Sequence, residues 1–291
     1  MDEKRPIDLF GATALIGFAI LLGGNQVVMK VTNAGFAPVF QAGIRSVLAC
    51  LFLALVMRVR GQSLRIPRHI LPWGVLAGLF FAFEFLLLFQ ALDFTSVARA
   101  SIFFYTMPVW MGLAAHFLLP GERLNAVRLT GMLCAVAGVV LAMSDRSSPG
   151  GNLLGDLMAL GAAFLWAAIA LSVRITPLSE APPENQLFMQ VAVSGPLLVV
   201  LAPLFGAMIR DPGAIHYAGI AFQSFLVIGL GFLMWFSLMK IYRASGVASF
   251  GFLSPVVAVL LGWAILGERI GPQVWVALAL VALGLLLINR K

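Results

Sequence analysis

Two ionisable residues stand inside long apolar runs, Arg45 in PVFQAGIRSVLAC and Glu84 in LFFAFEFLLLF. A lone charge in hydrocarbon costs several kcal/mol, so such residues face a cavity or a partner. Arg45 follows the start of its run near Pro38 by about seven residues, roughly 10 Å of helix, and Glu84 precedes Gln90 by about six, roughly 9 Å. At equal depth the two should meet as an ion pair. The other reading has Arg45 capping carbonyls and Glu84 protonated. Asn25 reaches a similar depth, and Gln41 lies one turn before Arg45. Together the four offer partners to both charges of a zwitterion, beside a cavity expected to be wide at that polar cluster.

Other polar groups fall on helical faces. Ser101, Tyr105, Pro108, Gly112 and His116 follow one another at steps of four, three, four and four, and Gln186, Gln190 and Ser194 form a second such face. Trp166 and Trp235 lie in FLWAAIALS and LGFLMWFS, where a broad ring with one donor could hold a bulky side chain. Pro108 and Pro255 each withdraw an amide donor within an apolar run, which suits a hinge or gate as well as a packed kink. The candidate binding set is Asn25, Gln41, Arg45, Glu84, Ser101, Tyr105, Trp166, Gln190 and Trp235.

Enzymatic chemistry has little to work with. The motifs G-x-x-x-x-G-K-[ST] and H-E-x-x-H are absent, and His69, His116 and His216 are scattered. Cys50 and Cys134 sit in apolar runs with no metal-ligand spacing. The sequence predicts no enzyme, cofactor or metal.

Composition decides what positions these residues. Of 291 residues, 61% are hydrophobic and 11% charged, against roughly 25% charged in a soluble domain. Helical runs are expected at about 9–30, 38–57, 70–90, 97–118, 127–143, 153–173, 186–205, 217–241, 246–266 and 272–288. The first has no cleavage site and reads as a span rather than a secretory signal. The net charge of +7 is dispersed at run ends, which suggests membrane orientation and not nucleic acid. Of the 19 Lys and Arg, Arg45 is within a span and Lys30, Arg99, Arg146, Arg210 and Arg269 fall on one side, leaving 19 − 1 − 5 = 13 on the other. The side bearing both termini is therefore expected to be cytoplasmic.

The phrases PGERL at Pro120–Leu124 and LGERI at Leu266–Ile270 each follow a proline by about one helix and precede a glycine sixteen positions after the glutamate, at Gly138 and Gly284. Split after the fifth run, residues 1–146 and 147–291 carry the phrases in equivalent places. Five is odd, so the second copy crosses in the opposite sense, as an inverted repeat. The glutamates and arginines of the phrases read as end-of-helix and topology residues.

These halves, GGNQVVMK closing the first run, Arg45 and the two P…GER…G phrases together resemble the drug/metabolite transporter superfamily, EamA type. The chain is most similar to bacterial inner-membrane exporters of aromatic and other bulky neutral amino acids, the YddG type. The resemblance implies an all-α polytopic membrane protein with ten transmembrane helices in two inverted five-helix repeats around a central cavity. It also implies a secondary transporter whose partners are amino-acid substrates and the bilayer; drug or cation efflux and metabolite uptake are the alternatives. Runs five and ten would lie at the periphery, where Gly131, Ala135, Gly138, Ala277 and Gly284 permit close packing, within the chain or in a homodimer. The inverted repeat predicts that single cysteines at positions 122 and 268 react with an impermeant thiol reagent from opposite faces of the membrane. Reaction from the same face would refute it.

Overall fold

A bilayer offers backbone amides no water, so apolar runs of this length close their hydrogen bonds internally as helices. The computed structural model describes residues 5–119, 124–144, 151–242, 247 and 250–289, and its regular structure there is helical apart from two isolated bridges, Arg5 with Tyr242 and Phe36 with Ile209. Eight helices are long and apolar enough to cross a membrane: α1 (Leu9–Asn33), α2 (Pro38–Val59), α3 (Leu71–Phe94), α4 (Val97–Leu118), α5 (Ala126–Ser144), α6 (Leu153–Ile175), α7 (Pro183–Phe205) and α8 (Ala214–Met239). The last two, α9 (Leu253–Leu266) and α10 (Pro272–Ile288), are shorter. At 14 and 17 residues they extend about 21 and 26 Å, less than the roughly 30 Å hydrocarbon core. Eight of the ten expected spans thus correspond to helices long enough to cross, and the other two fall on these shorter helices. The GER of Gly121–Arg123 and the expected boundary at 146/147 lie outside the described residues.

Local chemistry sets the breaks. The Asp8 carboxylate caps α1 by accepting from Gly11 N at 2.7 Å, and Ser96 caps α4 through Arg99 N at 3.1 Å. The α4 helix stops at Phe104 and resumes at Met107, so Pro108 occupies a first turn, where its missing N–H costs no intrahelical bond. Pro255 likewise lies in the first turn of α9. Both prolines start helical pieces; neither kinks an uninterrupted one at mid-span. In α8 the residues Phe222–Gly231 relax into a π-helix.

The halves interleave. Helix α1 lies against α9, α2 against α7 and α8, α3 against α6 and α7, and α4 against α6 and α9. Helices α5 and α10 lie against each other at the periphery. A Cβ on Gly131 would fall 2.8 Å from the Gly284 carbonyl oxygen, and one on Gly138 equally close to that of Ala277. The small residues of these helices therefore meet one another within one chain.

At the end carrying residue 5, α1 is fastened to the end of α8. The buried Tyr242 hydroxyl donates to Asp8 Oδ1 at 2.6 Å, and its ring fills the space beside Gly11. This bond and the Gly11 amide hold the Asp8 carboxyl below its usual value of 3.8. A depressed folded value means the tie contributes fully above the unfolded pKa and is lost as pH falls through the folded one. Tyr242→Phe should lower the melting temperature by an amount that is constant above pH 3.8 and shrinks below it. A pH-independent difference between the two proteins would show that the carboxylate is not the partner.

Candidate functional site

Position along α1 orders the interior. Leu15 and Phe18 line a vestibule of about 520 Å³, Asn25 and Gln26 a deeper pocket of about 100 Å³, and Lys30 and Asn33 the bonded far end. The vestibule lies at the end where Tyr242 meets Asp8; Met107, Pro108, Met111 and Gly112 of α4 also face it, with Arg128 and Arg174 among its lining. Leu22, Tyr105, Trp166 and Phe232 belong to both cavities and form the partition between them. The wide space is thus aromatic and lies away from the polar cluster, contrary to the sequence expectation. The polar cluster lines only the small pocket, because the phenylalanines around it fill the adjoining volume.

The partition is built from stacked rings. Trp166 lies on Phe104 at 4.9 Å with 15° between planes, and meets Tyr105 edge-on at 6.2 Å. On the vestibule side Trp235 stacks on Phe18 at 4.9 Å. The Tyr105 hydroxyl, at the break in α4, faces Gln26 of α1 and Ser254 of α9.

The expected ion pair between Arg45 and Glu84 does not form. No Arg45 nitrogen lies within 4.0 Å of a Glu84 oxygen, and Arg45 Nε, Arg45 Nη2 and Glu84 Oε2 have no hydrogen-bond partner. The guanidinium is 1% exposed and rests over the rings of Phe85 at 3.9 Å and Phe89 at 4.9 Å. Residues four apart share a helix face, so Phe81, Phe85 and Phe89 form a ladder of rings along α3. A delocalised cation gains about 2 kcal/mol or more on such a platform when desolvated. Glu84 is 2% exposed on the same pocket wall. A guanidinium and a carboxyl group therefore face one pocket without touching.

Of the other candidates, Asn25 and Gln190 line this pocket, with Asn25 Oδ1 unpartnered. Gln41 lies behind it, donating to Gln223 Oε1 at 3.3 Å and Met29 O at 3.4 Å. Ser101 is buried and Pro255 stands beside Ser254; neither lines a cavity. The face from Ser101 to His116 is interrupted by the α4 break. Only Tyr105, Pro108 and Gly112 reach the vestibule, while His116 Nδ1 accepts from Leu124 N at 3.3 Å. Gln186 bonds the carbonyls of Leu178 and Ala181, and Ser194 is buried between helices. Gln26, Phe18, Phe85 and Phe232 were missing from the candidates. The first was signalled by its place beside Asn25; the rings had no signal apart from other phenylalanines.

Beyond the pocket the molecule is closed. The turn between α3 and α4 is bonded from several sides: Arg210 to Asp93 at 2.7 Å, Asp156 from Thr95 Oγ1 at 3.0 Å and Arg99 Nε at 3.2 Å, and Lys30 Nζ to the carbonyls of Leu92 and Thr95. Glu268 accepts from Val97 N at 2.7 Å and Ala98 N at 3.1 Å. The charges expected to mark topology are thus also bonded across helices.

The sequence profile of the EamA-like transporter family matches the chain twice, at residues 9–144 and 153–290. The transporter YvbV of Bacillus subtilis (strain 168) is 27% identical over 95% of this chain and 91% of its own length. A protein of Escherichia coli (strain K12) called "Probable amino-acid metabolite efflux pump" is 27% identical, covering 94% of this chain and 93% of its own. A solved crystal structure aligns with a TM-score of 0.67 at 24% identity, over 95% of this chain and 96% of that one. Breaking a buried ion pair costs about 3–5 kcal/mol, but Glu84 has no such bond to lose. Glu84→Gln should leave the melting temperature of the purified protein unchanged or raised; a large drop would mean the two charges are coupled.

Proposed function

The chain belongs to the EamA-like transporter family, and on that premise we propose that it exports neutral amino acids with large side chains from the cytoplasm by alternating access. The observation that carries this reading is the pair of unpartnered buried charges, Arg45 and Glu84, on one pocket wall. A zwitterion satisfies both at once: its carboxylate accepts from the guanidinium and its ammonium donates to the carboxylate. Charge-assisted bonds of this kind contribute about 1.5–3 kcal/mol each. The amides of Asn25 and Gln190 supply neutral partners for the rest of the head group.

The pocket is too small for the whole of a bulky amino acid, so the side chain extends towards the vestibule through the partition. There it lies against Trp166, Tyr105 and Phe232, whose rings offer stacking and burial. A purely cationic substrate would satisfy Glu84 but leave Arg45 facing like charge. Placed in a bacterial inner membrane with both termini in the cytoplasm, as the charge bias favours, the vestibule opens to the cytoplasm, the loading side of an exporter. The inverted halves supply two related arrangements, and the breaks before Pro108 and Pro255 supply the pivots.

Purified protein in liposomes should carry labelled phenylalanine and methionine. Glu84→Gln and Arg45→Lys should each cut flux about tenfold or more, the worth of one charge-assisted bond. Trp166→Ala should slow phenylalanine far more than alanine. Transport of an organic cation or a sugar while none of the twenty amino acids moves would overturn the amino-acid reading and leave the family assignment intact.

A further inference from the structure

The second GER phrase has a geometry of its own. Gly267 closes α9 in the left-handed conformation at φ 65°, which a residue with a Cβ adopts only under strain. That turn directs the Glu268 amide back to Gly262 O at 3.2 Å and sends its side chain across to α4. There the carboxylate straddles two amides at the start of the helix, Val97 N and Ala98 N. These are donors that a helix leaves unsatisfied, at the positive end of its dipole. Gly262 leaves room for it, since a Cβ there would fall 2.9 Å from Glu268 Oε2. Glu268 thus caps a helix of the other half of the chain.

The capped piece is short and jointed. Residues Val97–Phe104 form one helical piece, separated from Met107–Leu118 by the break at Tyr105 and Thr106. Helix α9 meets that piece at both ends, with Ser254 near the Tyr105 hydroxyl and Glu268 bonded to Val97 and Ala98. One contact lies at the joint and the other at the N-terminal tip. Behind it, between pocket and far face, lie buried amides with unused acceptors, Asn33 Oδ1 and Gln41 Oε1. Buried acceptors without partners are unfavourable, a cost that water entering from the far face would remove.

We infer that the Glu268 carboxylate is the latch of the far gate. While it caps α4, the jointed piece closes the route beyond the pocket; when it lets go, the piece swings at Tyr105–Thr106 and the far half hydrates as the vestibule closes. The inference rests on the alternating access proposed above but not on the identity of the substrate. Arg99 of the same piece pairs with Asp156 of α6, and Arg210 holds the neighbouring turn, so the latch works with them; among the described residues it is Glu268 that bonds the amides at the tip of the broken helix from the end of α9.

The test reads gate position without substrate. In a Cys50→Ala/Cys134→Ala background reconstituted in nanodiscs, where both faces are accessible, single reporters are placed by Gln41→Cys in the far half and Gly112→Cys in the vestibule. Position 112 has open space for a side chain. Glu268→Gln keeps the shape and removes the charge; Gly267→Ala keeps the charge and strains the turn that aims it. With Glu268→Gln, maleimide labelling at position 41 should rise about tenfold, as for loss of one charge-assisted bond from a two-state equilibrium, while labelling at 112 falls. Gly267→Ala should shift both in the same directions to a smaller extent. Unchanged labelling at 41 in both variants would overturn the inference. So would a rise at both positions, which reports loosened packing instead of a gate.

Discussion

A bilayer core does not solvate charge, and the organisation of this molecule follows from how each interior charge meets that constraint. Most charged residues meet it by position, at helix ends. Arg99 and Asp156 meet it by pairing, with side chains 4% and 0% exposed. Arg45 does neither. Its guanidinium lies on two phenylalanine rings, which favour a cation from one face and leave its in-plane donors unsatisfied. Glu84 has no platform at all. The pocket is therefore a place where the fold keeps two charges apart at a standing cost in stability, and strain left unrelieved at a site is a mark of binding or mechanism.

The two ends of the same helices differ in kind for the same reason. At the end bearing Asp8, aromatic and methionine side chains leave a wide vestibule whose lining is mostly apolar, with Arg128 and Arg174 among it. At the other end the α3–α4 turn presents backbone groups, which Lys30 of α1 and Glu268 of α9 meet, while Asp156 of α6 bonds the Thr95 and Arg99 side chains and Arg210, from the segment before α8, bonds Asp93. Polar groups hold the far end because there are backbone donors and acceptors to satisfy. Tyr105 stands between these regimes, its ring in the partition and its hydroxyl facing α1 and α9.

Much of this was legible in the sequence where a single property decided the outcome. Hydropathy placed the helices closely, and the isolated charges marked the pocket. The repeated small residues on runs five and ten anticipated the α5–α10 contact, since a glycine at helical spacing has few uses other than close approach. What failed depended on several side chains at once. Equal depth for Arg45 and Glu84 said nothing of azimuth, and the rings of Phe85 and Phe89 could not be told from ordinary packing. The prolines were located correctly as interruptions, but whether one kinks a helix or begins one depends on where the hydrogen-bond ladder stops. Glu268 read as an end-of-helix and topology residue because its partners are backbone amides, which every residue carries and no sequence advertises.

The π-helical stretch of α8 has a consequence for how such a pocket changes over time. With bonds running five residues back, each residue turns less about the axis, so the faces before and after Phe222–Gly231 are offset relative to a regular helix. One rod thereby shows Gln223 to Thr32 and Gln41 on one level and Phe232 and Trp235 to the vestibule on another. Loss of one residue there would restore the ordinary winding and rotate the aromatic pair off the vestibule wall, with no change to any residue that touches the contents. Length in this stretch is thus a dial on selectivity, and chains of the same fold that differ by a residue here would present different chemistry from nearly identical sequences.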